Sequence, residues 1–180
     1  MLEAIEAKQY GELEQFANIA PEGLMLEFGV HTGETITRIA NRTKRKIYGF
    51  DSFGGLPEDW RPGYGKGTFA CDIPEVPDNV ELVVGLFSDT LPKFVEDHKE
   101  EKVAFVHVDC DLYSSTKCVF DNLKHMFQDG TVICFDELIN YYGYEEHEWK
   151  AWHEFLNETK YKWEVLGRYG GEQVGFIIYK

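Results

Sequence analysis

Basic side chains are scarce in this 180-residue chain: 18 Lys and Arg stand against 32 Asp and Glu, a formal net charge of −14. Such a surface repels phosphate backbones and anionic membranes, so neither nucleic acid nor a membrane is expected as a partner. The largest basic group, Arg42-Thr43-Lys44-Arg45-Lys46, precedes an apparent strand and reads as a solvated turn. No apolar run approaches the roughly 20 residues of a membrane span. The acidic start Met1-Leu2-Glu3-Ala4-Ile5-Glu6 also lacks the basic and apolar regions of a signal peptide. Only four cysteines occur, Cys71, Cys110, Cys118 and Cys134, with no Cys-x-x-Cys pair, and the last three sit in segments that read as buried. That pattern suits a reduced, cytoplasmic protein. His-Glu-x-x-His, a zinc cysteine set and Gly-x-Ser-x-Gly are all missing, which takes the main support from hydrolase readings.

What is present is the composition of one globular domain, with 43% hydrophobic and 15% aromatic residues. Residues 1–20 read as a leading amphipathic helix ended by Pro21 and Gly23. Leu24 to Gly29, a helix over Glu34–Asn41 and the run Lys46 to Asp51 make a β-α-β unit. Residues 52–79 are rich in Gly, Pro and aromatics and too long for an idle connection. With Trp60, Arg61, Tyr64 and Lys66 among flexible glycines, they read either as a lid or as an ordered loop with Trp60 plugged into the core. Val80–Val84 is a third strand, Leu91–His98 a helix and Val103–Asp109 a fourth, central strand. Ser114 and Ser115 are taken as N-caps of a helix whose apolar positions, Val119, Phe120, Leu123, Met126 and Phe127, run to a stop at Asp129-Gly130. A fifth strand over Thr131–Asp136, a helix over Glu145–Glu158, and a hairpin of Tyr161–Leu166 with Val174–Tyr179 complete the chain. The expected fold is α/β: a Rossmann-like, doubly wound, mostly parallel seven-stranded sheet with a C-terminal antiparallel hairpin, in a single domain over 1–180.

In such sheets ligands bind beyond the carboxyl ends of the strands. Four of those ends are acidic here, Glu27, Asp51, Asp109 and Asp136, which points to a cation-rich ligand or a metal. Glu27-x-Gly29-x-x-x-Gly33 suits S-adenosylmethionine. Gly29 permits close backbone approach, Gly33 opens the next helix, and Glu27 can face the positive amino-acid end of the cofactor. A dinucleotide loop needs a third glycine that has no counterpart here. Asp51, about 20 residues on, is placed to accept hydrogen bonds from ribose hydroxyls. His31 either packs on the methionine portion or stays solvated, and His107, inside the fourth strand, reads as a hydrogen-bonded core residue. His147 either approaches the acceptor or begins a helix.

Several separate motifs then resemble one family, the macrocin O-methyltransferases, which are S-adenosylmethionine-dependent enzymes of class I. These are Glu27-Phe28-Gly29-Val30-His31-Thr32-Gly33, Tyr48 to Pro57, Gly85-Leu86-Phe87-Ser88-Asp89-Thr90-Leu91-Pro92, Asp109-Cys110-Asp111-Leu112-Tyr113-Ser114-Ser115-Thr116 and Phe135-Asp136-Glu137. The resemblance implies cofactor contacts from Glu27, Gly29, His31, Thr32, Gly33, Asp51, Ser52 and Ser88. It also implies a divalent ion, usually Mg²⁺, on Asp109, Asp136 and Glu137. Glu137 departs from the Asp-Asp of the antibiotic enzymes, so a longer side chain must reach the ion, and the alternative is that Asp136 and Glu137 only cap a turn. Asp111 either joins the site or caps the next helix.

The expected reaction is methyl transfer to a hydroxyl of a small, sugar-like acceptor, with Asp109 as general base. Two other readings stand beside it: a nicotinamide-dependent oxidoreductase on the same sheet, and a non-catalytic module that keeps the cofactor fold. About 20 residues precede the first strand, so part of the acceptor pocket is left open or supplied by a second subunit of a homo-oligomer.

Overall fold

Alternation of side chains along each strand decides how the layers form, and the computed structural model, which describes all 180 residues, shows this directly. Along β1 (Leu24–Phe28), Leu24, Leu26 and Phe28 enter one core while Met25 enters another. β4 (Val103–Val108) and β5 (Phe127–Phe135) divide the same way. Val106, Val108, Ile133 and Phe135 go to the first core, and Phe105, Val132 and Cys134 go to the second. The first core is covered by α4 (Phe87–Asp97), α5 (Tyr113–Leu123) and α6 (Glu148–Thr159), through Phe94, Phe120, Trp152 and Phe155. The second is covered by α2 (Leu13–Ile19) and α3 (Glu34–Thr43), through Phe16, Ile36 and Ile39. Strands buried on both faces need nearly continuous apolar runs, and β1 and β4 have them apart from Glu27 and His107.

With β2 (Ile47–Asp51), β3 (Val80–Val84), β6 (Lys162–Arg168) and β7 (Val174–Tyr179), the sheet has seven strands in the order β3-β2-β1-β4-β5-β7-β6. All neighbours from β3 to β5 are parallel, and β7 runs antiparallel between β5 and β6. Chain direction diverges between β1 and β4, so the ligand crevice falls at their carboxyl ends. There the backbone passes so close that a Cβ on Gly29 (φ 93°) would sit 1.6 Å from the Asp109 carbonyl oxygen. The close approach expected at Gly29 is therefore to the protein's own chain.

Several boundaries differ from the sequence reading; the helix expected over Glu145–Glu158, for one, is a 3-10 turn over Tyr144–Glu146 followed by α6. The leading segment is two short helices, α1 (Leu2–Glu6) and α2, because Tyr10 leaves the helical path to bridge Arg168 beside β6. α4 begins at Phe87, a turn before Leu91. α5 stops at Leu123 and β5 already starts at Phe127. The helical periodicity ran on because the end of α5 and the start of β5 bury Leu123, Met126 and Phe127 in one core. Gly130, read as a stop, lies within β5 with φ 87°. Finally, α5 is entered from Leu112 with no side-chain cap, and Ser114 donates instead to Glu58 Oε1 at 2.5 Å. No helix is long and apolar enough to cross a membrane.

Candidate active site

One cavity of about 390 Å³ opens at the strand ends. Its first part is built from Gly29, His31, Asp51, Ser52 and the Gly85–Ser88 turn, and its second from Asp109, Cys110, Asp111 and Glu137. Leu56, Pro57 and Phe69 of the 52–79 segment also line the cavity.

Asp51 organises the first part. Its Oδ2 accepts the backbone N–H groups of Val30 and His31, and its Oδ1 that of Phe53, each at 2.8 Å. The carboxylate at the end of β2 thus shapes both the 29–33 turn and the start of the 52–79 segment. His31 is exposed, in left-handed backbone (φ 48°), with its ring edge-on to Phe69 at 5.7 Å. The Ser52 hydroxyl accepts from Gly54 N–H at 3.1 Å, and that of Ser88 donates to Asp89 at 3.1 Å. Glu27, Thr32 and Gly33 do not line the cavity. Thr32 points to solvent, and Gly33 is the N-cap of α3, with Pro74 and Val76 packed where its side chain would be. Glu27 is fully buried, its Oε2 3.2 Å from His107 Nδ1.

Carboxylates crowd the second part. Asp109, Asp111 and Glu137 bring one oxygen each within 4.8 Å of one another, and Asp109, Asp136 and His107 form an overlapping set of the same span. Asp111 is buried and held at φ 63°, and it does not cap α5. Asp136 takes a hydrogen bond from Gln173 Nε2 at 3.2 Å and lies 3.7 Å from His107 Nε2, an ion-pair distance rather than a hydrogen bond. Sequence reasoning missed Glu148. It is wholly buried and accepts from Cys110 N–H at 3.4 Å. Its spacing held a signal: Glu148, Ala151, Trp152 and Phe155 form a buried i, i+3, i+4, i+7 stripe with one acid in it.

The charges answer to this crowding. Burial, then the neighbouring Asp136, pushes Asp109 well above the carboxylate range. Burial lifts Asp111 to about 7, and burial with the Asp109 charge lifts Glu137 to about 12. Burial and the charge of Asp111 raise Glu148 too. Burial would also raise Asp136, but the charge of His107 outweighs it and holds that carboxyl below its usual value. Oε2 of Glu137 and of Glu148 are buried without a partner. Unpartnered carboxylate oxygens, set among carboxylates and short of positive charge, fit a hard divalent cation. Opposite Mg²⁺ ligands stand about 4.2 Å apart, given Mg–O bonds of about 2.1 Å.

Over this end lies a small aromatic roof. Trp60 packs with Leu56 and Leu112, and the Arg61 guanidinium rests 4.0 Å from the Trp60 ring centroid and 4.7 Å from that of Tyr141. Arg61 also pairs with Glu172 of the hairpin turn at 3.2 Å. His147 stacks on Tyr141 with ring centroids 6.1 Å apart and is the N-cap residue of α6.

Residues 26–138 match a family profile described as a methyltransferase domain. The chain belongs to that family. Membership decides against the nicotinamide alternative. A relative from Streptomyces olivaceus, 8-demethyl-8-(2,3-dimethoxy-alpha-L-rhamnosyl)-tetracenomycin-C 4'-O-methyltransferase, is 26% identical over 141 residues, covering 64% of this chain and 52% of its own. The chain thus spans about half the length of that curated relative. Among solved structures, the calicheamicin methyltransferase CalS11 superposes with a TM-score of 0.72 at 23% identity, over 92% of this chain and 76% of its own. The O-methyltransferase NovP gives 0.70 at 20%, over 93% and 78%. A Bacillus cereus O-methyltransferase in complex with SAH gives 0.58 at 16%, over 99% and 86%. These likenesses establish the fold.

Proposed function

We propose that this methyltransferase moves a methyl group from S-adenosylmethionine to a hydroxyl of a small, sugar-like acceptor. The observation that carries the reading is the single cavity joining the Gly29–Asp51–Ser88 part to the Asp109–Asp111–Glu137 part. The first part, with Ser52 and His31 beside it, receives the cofactor. The second receives the acceptor, with Asp109 as general base and Asp109, Asp136 and Glu137, joined by Asp111, as ligands of a divalent ion, Mg²⁺ by its chemistry. Bound S-adenosylmethionine supplies an electrophilic methyl, and a bound divalent ion makes a coordinated hydroxyl easier to deprotonate. The chain's own residues align the two ends of the cavity, take the acceptor proton at the Asp109 carboxylate and exclude water. In the metal-free chain burial and the Asp136 charge raise Asp109 and favour its protonated form; a bound cation would hold the carboxylate ionised, the form a base needs.

Support for a sugar acceptor comes from relatives: the S. olivaceus protein is named for a rhamnosyl substrate, and CalS11 is also described as a TDP-rhamnose 3'-O-methyltransferase. We assign residues 52–79 the role of a lid, on the strength of the Trp60 roof, and a cytosolic setting to the free thiols of Cys71, Cys110, Cys118 and Cys134. The acceptor end is open to completion by a second copy of the chain, which light scattering would detect. The functional reading is tested by thermal shift and turnover. S-adenosylhomocysteine at 100 times its dissociation constant should stabilise by about 2.7 kcal/mol, and NAD should not. Hydroxylated sugars should then gain a methyl mass, more so with Mg²⁺. Stabilisation by NAD alone would sink the reading, and cofactor binding without any methylated product would leave the non-catalytic module.

A further inference from the structure

Glu27 and His107 are buried together and used by none of the steps above. They are register partners on the adjacent strands β1 and β4, so the same face of the sheet carries both side chains. Glu27 Oε2 faces His107 Nδ1 at 3.2 Å, and Glu27 does not reach the cavity, where Gly29 and His31 stand instead. With Nδ1 engaged, the other ring nitrogen, Nε2, is buried without a hydrogen-bond partner and faces Asp136. It lies 3.7 Å from Asp136 Oδ1 and shares a 4.8 Å cluster with Asp109. Gln173 holds the second oxygen of Asp136 from the hairpin side. A carboxylate on one imidazole nitrogen fixes the ring's orientation and decides what the other nitrogen presents.

We propose that Glu27 is a positioning residue for the carboxylate end of the site: it anchors His107, which sets Asp136 beside Asp109, and it makes no contact with the cofactor. This rests on the divalent-ion reading above. The motif position at the start of the cofactor loop thus serves the opposite end of the cavity. The backbone explains how. Gly29 and Asp109 cross at the switch point, so the residues two positions earlier on each strand, Glu27 and His107, stack behind the crossing and under Asp136.

Calorimetric titration of the full chain with Mg²⁺ and, separately, with S-adenosylhomocysteine tests this. Glu27→Gln keeps the shape and removes the charge. It should weaken Mg²⁺ binding about tenfold or more, the size seen when a partner behind a metal ligand is lost, and leave S-adenosylhomocysteine affinity within about twofold. A tenfold loss of S-adenosylhomocysteine affinity with Mg²⁺ binding unchanged would return Glu27 to the cofactor and overturn the proposal, as would no change in either. If the wild-type chain bound no Mg²⁺ at millimolar concentration, the divalent-ion reading would fall and the role of the pair with it. If instead the wild type bound Mg²⁺ and Glu27→Gln bound it equally, only the role of the pair would fall. Should Glu27→Gln fail to fold, the double variant Glu27→Gln/His107→Gln removes both charges together and is held to the same two affinities.

Discussion

Replacing Asp51 by Asn should loosen the cofactor end of the cavity without disturbing the carboxylate end. Asp51 accepts three backbone N–H groups at 2.8 Å, two from the 29–33 turn and one from Phe53. An amide has one oxygen. If it stays on Val30 and His31, its NH₂ meets the N–H of Phe53, donor against donor. One charge-assisted bond is then lost outright and two are weakened to neutral ones. A hydrogen bond to a charged group contributes about 1.5–3 kcal/mol, and Asp51 is half-buried, so a loss of about 2 kcal/mol is expected after screening. For a domain of this size that lowers the melting temperature by roughly 4–8 °C. S-adenosylhomocysteine affinity should fall as well, since the turn proposed to receive it is no longer held. Scanning fluorimetry with and without S-adenosylhomocysteine reads both effects. A variant melting within 1 °C of wild type, with unchanged cofactor affinity, would refute the account of Asp51 as the hub of these two segments.

Asp109→Ala should abolish methyl transfer while S-adenosylhomocysteine still stabilises the protein; full activity, read by product mass, would remove Asp109 from the role of base. Gly29→Ala should fail to assemble the crevice, because its methyl group would lie 1.6 Å from the Asp109 carbonyl oxygen; loss of S-adenosylhomocysteine binding checks this. Without divalent cations, stability should fall between pH 5.5 and pH 8. Asp111 is lifted from 3.8 to about 7 and Glu137 to about 12, so each binds its proton more tightly in the folded chain; their contribution is whole below pH 4 and shrinks as pH rises through that window. His107, also raised despite its burial, by its carboxylate neighbours, acts in the same sense, and added Mg²⁺ should raise the melting temperature more at pH 8 than at pH 5.5. Trp152→Ala should cost about 3–5 kcal/mol, since Trp152 is wholly buried against Phe120, Phe135 and Phe155, whereas Trp152→Phe should cost less because the lost N–H has no partner; chemical denaturation separates the two.

The sheet was legible because β1, β2, β4 and the second half of β5 are largely apolar runs with an acid at or beside their carboxyl ends, β3 being the exception; Asp51 and Asp109 line one cavity, and Asp136 stands against Asp109 just behind it. Local patterns failed where a partner distant in sequence decides the conformation. Tyr10 breaks the leading helix to reach Arg168, and Gly130 continues β5 because β4 and β7 lie on either side. Glu27 shows the same limit at the site. Its motif announces a cofactor residue, and only the register of β1 with β4 reveals that a histidine 80 residues away occupies it. His107, read from its strand as a hydrogen-bonded core residue, is that partner.

The 52–79 segment touches both occupants' ends of the cavity by itself. Pro74 and Val76 brace the helix that follows the 29–33 turn, Leu56, Pro57 and Phe69 wall the cavity, and Trp60 with Arg61 roofs the carboxylates. The proposed function places acceptor preference in one contiguous stretch that begins and ends on neighbouring strands. Such a stretch is a transplantable cassette: grafted between β2 and β3 of a related enzyme, it should carry the donor's acceptor range with it while the recipient's sheet and carboxylates stay as they are.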